Sequence, residues 1–128
     1  MQLNDAWERC MAQWNYVVHG LKQAGITDTD PRYMVHDAVC KLKHEFVEAN
    51  KGRWGTPLLY CWFCEYVRPN AGDGWEGCKN CPAHKIDSTF HCNDSGTSWD
   101  VQPHAFYRRI KKLYKIREAR LAKRKKSR

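Results

Sequence analysis

Two Cys-x-x-Cys pairs, Cys61-Trp62-Phe63-Cys64 and Cys78-Lys79-Asn80-Cys81, stand thirteen residues apart in a chain of 128. One such pair lets a single tight turn present two sulfurs to the same ion. Two pairs complete the tetrahedral shell that zinc favours, at about 2.3 Å per sulfur. The link between them contains Pro69-Asn70-Ala71-Gly72-Asp73-Gly74, turn chemistry that suits a chain doubling back on itself. The spacing therefore predicts a zinc site on Cys61, Cys64, Cys78 and Cys81. Cys92, eleven positions after Cys81, is an alternative ligand. His84 and His91 are expected to face solvent or to support the ligands, because four thiolates already satisfy a structural ion.

What seven cysteines mean depends on the compartment. The chain opens with amide and acidic residues, Gln2, Asn4 and Asp5, where a secretory signal would place a basic start and an apolar run. A cytoplasmic protein with reduced thiols is expected, which favours metal over disulfides. A redox role for Cys-x-x-Cys wants a strand-helix setting, and the glycine-, proline- and aromatic-rich stretch 53–99 does not offer it. Size excludes more. A TIM barrel or a full dinucleotide-binding fold needs a longer chain, and the longest apolar run, Leu58 to Cys64, falls far short of the roughly 20 residues that span a bilayer. No membrane partner is expected.

Ahead of the cysteines the sequence is helical. From Leu3 to Ala24 a period of 3.6 puts Leu3, Trp7, Cys10, Met11, Trp14, Val17, Val18 and Leu21 on one side and Asp5, Arg9, Gln13 and Tyr16 opposite. Gly25 suits the C-cap. Asp30 followed by Pro31 reads as the cap and first residue of a second helix. Its apolar side collects Val35, Ala38, Val39, Leu42, Phe46 and Ala49, and Asn50-Lys51-Gly52 reads as its stop. Both stripes are read as core packing, and the short link makes the helices an antiparallel pair.

Charge is concentrated at the other end. From Arg108 onward there are twelve Lys/Arg and one acid, Glu118, against ten basic and thirteen acidic residues before it. A helix from Pro103 places Phe106, Tyr107, Ile110, Leu113, Tyr114 and Leu121 on one side, to dock on the body. Arg108, Lys111, Lys112, Lys115, Lys123 and Lys126 take the other, in water. Such a face suits a phosphate backbone. Too few apolar positions remain for a membrane-surface helix.

The fold expected is mainly α. Residues 1–52 form a helical hairpin, 53–102 a zinc-knuckle insert with little regular structure, and 103–128 a long basic helix packed back on the pair, all as one compact domain. The order Cys61-x-x-Cys64, Gly77-Cys78-x-x-Cys81-Pro82, Cys92 and Gly96-Thr97-Ser98-Trp99 resembles small cysteine-rich proteins encoded by bacteriophages, which mostly lack an assigned activity. The resemblance covers about forty residues. It implies that all five cysteines from Cys61 to Cys92 belong to one element, and that the setting is an infected bacterial cytoplasm.

Signatures of catalysis are missing: there is no His-Glu-x-x-His, no phosphate loop, and no His-x-Glu joined to Pro-Cys-x-x-Cys. The expectation is a zinc-stabilised binding protein without enzymatic activity and without a small-molecule substrate. Its basic helix would engage nucleic acid or a host nucleic-acid-processing complex. One alternative is an inhibitor working by protein contact alone, anchored by Trp54, Trp62, Phe63 and Trp75. A second is a zinc-knuckle nuclease of the histidine-metal type, for which His84, His91, Asn93 and His104 are the raw material.

Overall fold

The computed structural model describes residues 1–57, 60–71 and 78–126, with backbone alone for 70 and 71. Five helices are present among them: α1 (Leu3–Gln23), α2 (Arg32–Trp54), α3 (Trp62–Ala71), α4 (Pro82–Ile86) and α5 (Pro103–Lys126). The mainly helical class holds, and the described residues contain no strand. The cysteine segment is more regular than its composition suggests, since α3 and α4 lie within it.

α1 is the hub, in contact with α2, α3 and α5. It starts in a capping box, in which the Gln2 backbone N–H donates to the Asp5 carboxylate at 2.9 Å. It ends as expected at Gly25, at φ +70°. The N–H of Ile26 returns to the Leu21 carbonyl at 2.9 Å and that of Gly25 to Lys22 at 3.1 Å, closing a Schellman motif. Trp7, Cys10, Trp14, Val17, Val18 and Leu21 are buried, as the periodicity predicts, whereas Leu3 is exposed. Gly20 permits a close crossing with α2, because a Cβ there would lie 2.6 Å from a Leu42 methyl.

The second helix departs from expectation at both ends. Asp30 does not cap it; its carboxylate accepts the Thr27 N–H at 2.7 Å and closes the preceding turn, and Pro31 is the N-cap. Asp28 does the capping, but of α5: its two oxygens accept the N–H groups of His104 (3.0 Å) and Ala105 (2.9 Å), freeing neither donor to water. At the far end α2 runs through Asn50-Lys51-Gly52 to Trp54. The polar residues there bond along the helix instead of ending it. Asn50 Nδ2 donates to the Phe46 carbonyl at 2.8 Å, and Arg53 donates to Asn50 Oδ1 at 2.7 Å. Trp54 then packs between Phe46 and Trp62, with centroids 5.9 and 5.7 Å away. Ala49 is exposed, while Lys43 and Val47 are buried instead.

α5 begins at Pro103 as predicted and buries Phe106, Ile110 and Leu113. It docks on α1 and α4. Trp14 meets Phe106 at 4.7 Å between centroids, and Trp7 meets Phe63 edge-on at 4.8 Å. Trp62, Phe63, Ala83 and Phe90 thus share one core with the side chains of α1 and α5. The cysteine segment is a wall of that core. Among the described residues no helix is long and apolar enough to cross a membrane.

Candidate metal centre and basic face

Each Cys-x-x-Cys pair meets a helix start. Cys61 immediately precedes α3, so the first free amides of that helix point at its sulfur, and the Cys64 N–H donates to Cys61 Sγ at 3.4 Å. Cys81 is the N-cap of α4, with Pro82 at the first helical position. The Cys81 N–H returns to the Cys78 carbonyl at 3.2 Å, which closes the second turn. Cys92 is fixed through its own carbonyl, which accepts the Trp99 N–H at 3.0 Å. Cys61, Cys81 and Cys92 are half-buried against the core, and all seven cysteines are free thiols.

The thiols lie close enough to shift one another. A hydrogen bond from the Cys64 thiol, against the cost of burial and with help from Lys43, holds Cys61 below the ordinary thiol range. The same hydrogen bond, burial and the charges of Cys61, Cys81 and Cys92 push Cys64 up. Burial and then Cys61 push Cys81 up to about 12, partly offset by the amides of His84 and Ala83. Burial followed by Cys61 and Cys78 raises Cys92 to about 11. Cys61 and Cys64 are in direct contact, and Cys78, Cys81 and Cys92 lie in the same neighbourhood, near enough for charge on one thiol to act on another. Cys10 of α1 is buried in the core, as read, and burial first, then the charges of Cys61 and Cys81, raise its thiol. Thiols are of the donor type that zinc takes. Among the described residues, no three Cys, His, Asp or Glu side chains stand in an arrangement ready to grip one ion.

A residue the sequence reading passed over stands beside the thiols. Lys43 is only 7% exposed, and its ammonium lies 4.1 Å from the Trp99 ring centroid and 5.7 Å from that of Trp14. Its charge acts on Cys10, Cys40, Cys61 and Cys92. A buried cation is costly unless rings or anions compensate it, and here two indole rings face it. Its position three residues after Cys40 on the inner side of α2 was the available signal.

His84 and His104 each have a ring nitrogen at a backbone carbonyl. His84 Nδ1 lies 3.1 Å from the Phe90 carbonyl, and His104 Nε2 lies 2.8 Å from that of Ile26. The aromatic anchors need correction. Trp62 and Phe63 are 1% and 3% exposed, so a partner cannot reach them; their rings complete the core around Trp7 and Trp54. Trp54 is half-buried under the guanidinium groups of Arg9 and Arg53, at 5.2 and 4.1 Å. Trp75 lies outside the described residues.

On α5, Arg108, Lys111, Lys112, Lys115, Lys123 and Lys126 are all exposed. Two arginines of the same helix turn inward, which the charge count did not reveal. Arg109 pairs with Asp94 at 2.5 Å, donates to Thr97 Oγ1 at 3.1 Å and lies 4.8 Å from the Phe90 ring centroid. Arg117 is buried, bonded to Asn4 Oδ1 and paired with Glu118 at 3.2 Å, over the Trp7 ring. One clamp ties α5 to the cysteine segment and the other ties it to α1. The basic face is thereby held on a fixed helix through Arg117.

No family model matches the sequence, and neither a curated protein nor a solved structure is detectably similar to it.

Proposed function

We propose that the protein is a zinc-stabilised binding module that engages nucleic acid, or a host complex working on nucleic acid, through the exposed basic face of α5. The observation that carries this reading is the division of labour on α5. Arg109 and Arg117 are bound to the body, while Arg108, Lys111, Lys112 and Lys115 stand exposed on the same rigid helix. A fixed row of cations meets phosphates without first losing the conformational freedom of a loose tail. Lysines at such positions grip phosphate oxygens and read little sequence.

Zinc belongs to this proposal as the element that holds the α3–α4 wall. Cys61, Cys64 and Cys81 are its ligands, with Cys78 as the fourth and Cys92 as the alternative. Thiolates ligating the ion would place negative charge near Lys43, a counter-charge for a buried ammonium that faces the Trp99 and Trp14 rings. A phage-infected bacterial cytoplasm is the setting that the sequence resemblance implies. The burial of Trp62 and Phe63 weighs against an inhibitor acting through those rings.

The test is a binding titration of labelled duplex and single strands at about 50 mM salt, where phosphate contacts are strongest. Wild-type protein binds, and Lys111→Gln/Lys112→Gln/Lys115→Gln binds at least tenfold more weakly with an unchanged melting temperature. No binding by the wild type to any strand would end the nucleic-acid reading.

A further inference from the structure

Away from the five-cysteine cluster, one face of α2 carries a chain of contacts that the binding function does not use. Cys40 Sγ lies 3.5 Å from His36 Nε2, one helical turn earlier. The other ring nitrogen, His36 Nδ1, lies 3.4 Å from Asp100 Oδ2, in the turn ahead of α5. Behind the carboxylate, Ser98 Oγ donates to Asp100 Oδ1. The order is thiol, imidazole, carboxylate, hydroxyl.

Each link constrains the next. The Asp100 carboxylate stands 3.4 Å from Nδ1, which favours the imidazole proton on that nitrogen and the Nε2 lone pair toward the Cys40 thiol. Ser98 is buried and fixes the carboxylate, and the Trp99 ring stands 6.0 Å from the imidazole. A histidine and a cysteine one turn apart on a helix are ordinary neighbours. What sets this pair apart is the third group behind the base, brought from more than fifty residues away in sequence. The His36 side chain is 45% exposed and Cys40 is half-buried, so the pair lies at the surface of α2. Burial pushes the Cys40 thiol up, against the pull of Lys43, so it rests protonated and needs a base.

We propose that Cys40, His36 and Asp100 form a nucleophile, base and orienting carboxylate that take acyl groups from activated esters onto Cys40 Sγ. The site lies beyond the binding function and gives the chain a catalytic chemistry of its own. In the first step the sulfur attacks the carbonyl carbon as the S–H proton passes to His36 Nε2. The C–S bond forms and the carbonyl electrons move onto oxygen. Collapse of that oxyanion breaks the C–O bond to the leaving group, which departs with the electron pair and receives the proton from Nε2. Water then attacks the thioester by the same route, giving His36 a proton, releasing the carboxylic acid and restoring the thiol.

The test uses the full chain and p-nitrophenyl acetate, following p-nitrophenolate release and mapping the acetyl group by peptide mass analysis. The expected result is a burst of about one equivalent with the acetyl group on Cys40, absent in Cys40→Ser. His36→Ala slows acetylation of Cys40 by about a hundredfold or more at unchanged helical content, and added imidazole restores part of the rate. Asp100→Asn slows it at least tenfold. A structural role for His36 would give no rescue by imidazole. Acetylation spread over the other cysteines, or a His36→Ala rate equal to wild type, overturns the proposal.

Discussion

Gln13, in the middle of α1, donates its side-chain amide to the backbone carbonyl of Tyr60, 3.2 Å away and 47 residues on in sequence. Tyr60 stands at φ +54°, a left-handed conformation that costs a side-chain-bearing residue on the order of 1–2 kcal/mol, and it directly precedes Cys61. The central helix thus fixes the turn that aims the first thiol. The Tyr60 hydroxyl, 3.3 Å from His44 Nδ1, ties the same residue to α2. Gln13→Ala leaves a part-buried carbonyl unpaired and should cost about 1–3 kcal/mol, read as a lower urea midpoint at an unchanged slope. An unchanged midpoint would show that α1 does not hold this turn.

Phe63 tests whether the cysteine segment is a wall of the core or an appendage. Its ring lies 4.8 Å from Trp7 and is 3% exposed. Phe63→Ala should cost about 3–5 kcal/mol. Helical signal and tryptophan fluorescence should be lost in one coincident transition. Two separate transitions, with α1 and α2 melting last, would make the segment an independent unit.

Asp28 holds the start of α5 from the loop after α1. Asp28→Ala should cost about 1 kcal/mol, within the usual range for a lost helix cap, and amide exchange at His104 and Ala105 should accelerate while that at Ile110 and Leu113 changes little. Equal protection at 104 and 105 in the variant would mean that Pro103 alone organises the first turn.

Much of this architecture was legible because it is local. The 3.6-residue period gave the buried side of α1, and Gly25 and Pro103 marked ends that need only their own backbone geometry. What escaped depends on partners that arrive from elsewhere in the chain. Gln13 reads as a surface residue until Tyr60 comes to meet it, and Asp30 reads as a helix cap although it closes its own turn while Asp28 caps α5. Asn50 reads as a helix stop, yet it caps a carbonyl one turn back and the helix continues. On α5 the sequence separates apolar from basic positions, but only Asn4, Asp94 and Phe90 reveal that Arg117 and Arg109 point inward. Of the candidate site, the Cys-x-x-Cys spacing showed the thiols and the inner side of α2 held a signal for Lys43, while the approach of Asp100 to His36 lay beyond any local pattern.

Metal content is open to direct measurement. Protein purified without chelator should carry about one equivalent of zinc, and because binding is coupled to folding, its removal should lower the melting temperature by several degrees. Cys61→Ser and Cys81→Ser should lose the ion, while Cys40→Ser should keep it. Protein free of metal as isolated, with melting indifferent to added zinc, would contradict the assignment.

The salt dependence of duplex binding tests the role of α5 most directly. Each phosphate contact contributes about 0.9 to the slope of log affinity against log salt, so Lys111→Gln/Lys112→Gln/Lys115→Gln should reduce that slope by up to about 2.7. Exposed lysines distant from buried partners alter stability by no more than about 0.5 kcal/mol, so melting should not move. An unchanged slope in the triple variant would place the contact elsewhere and contradict the account of the basic face.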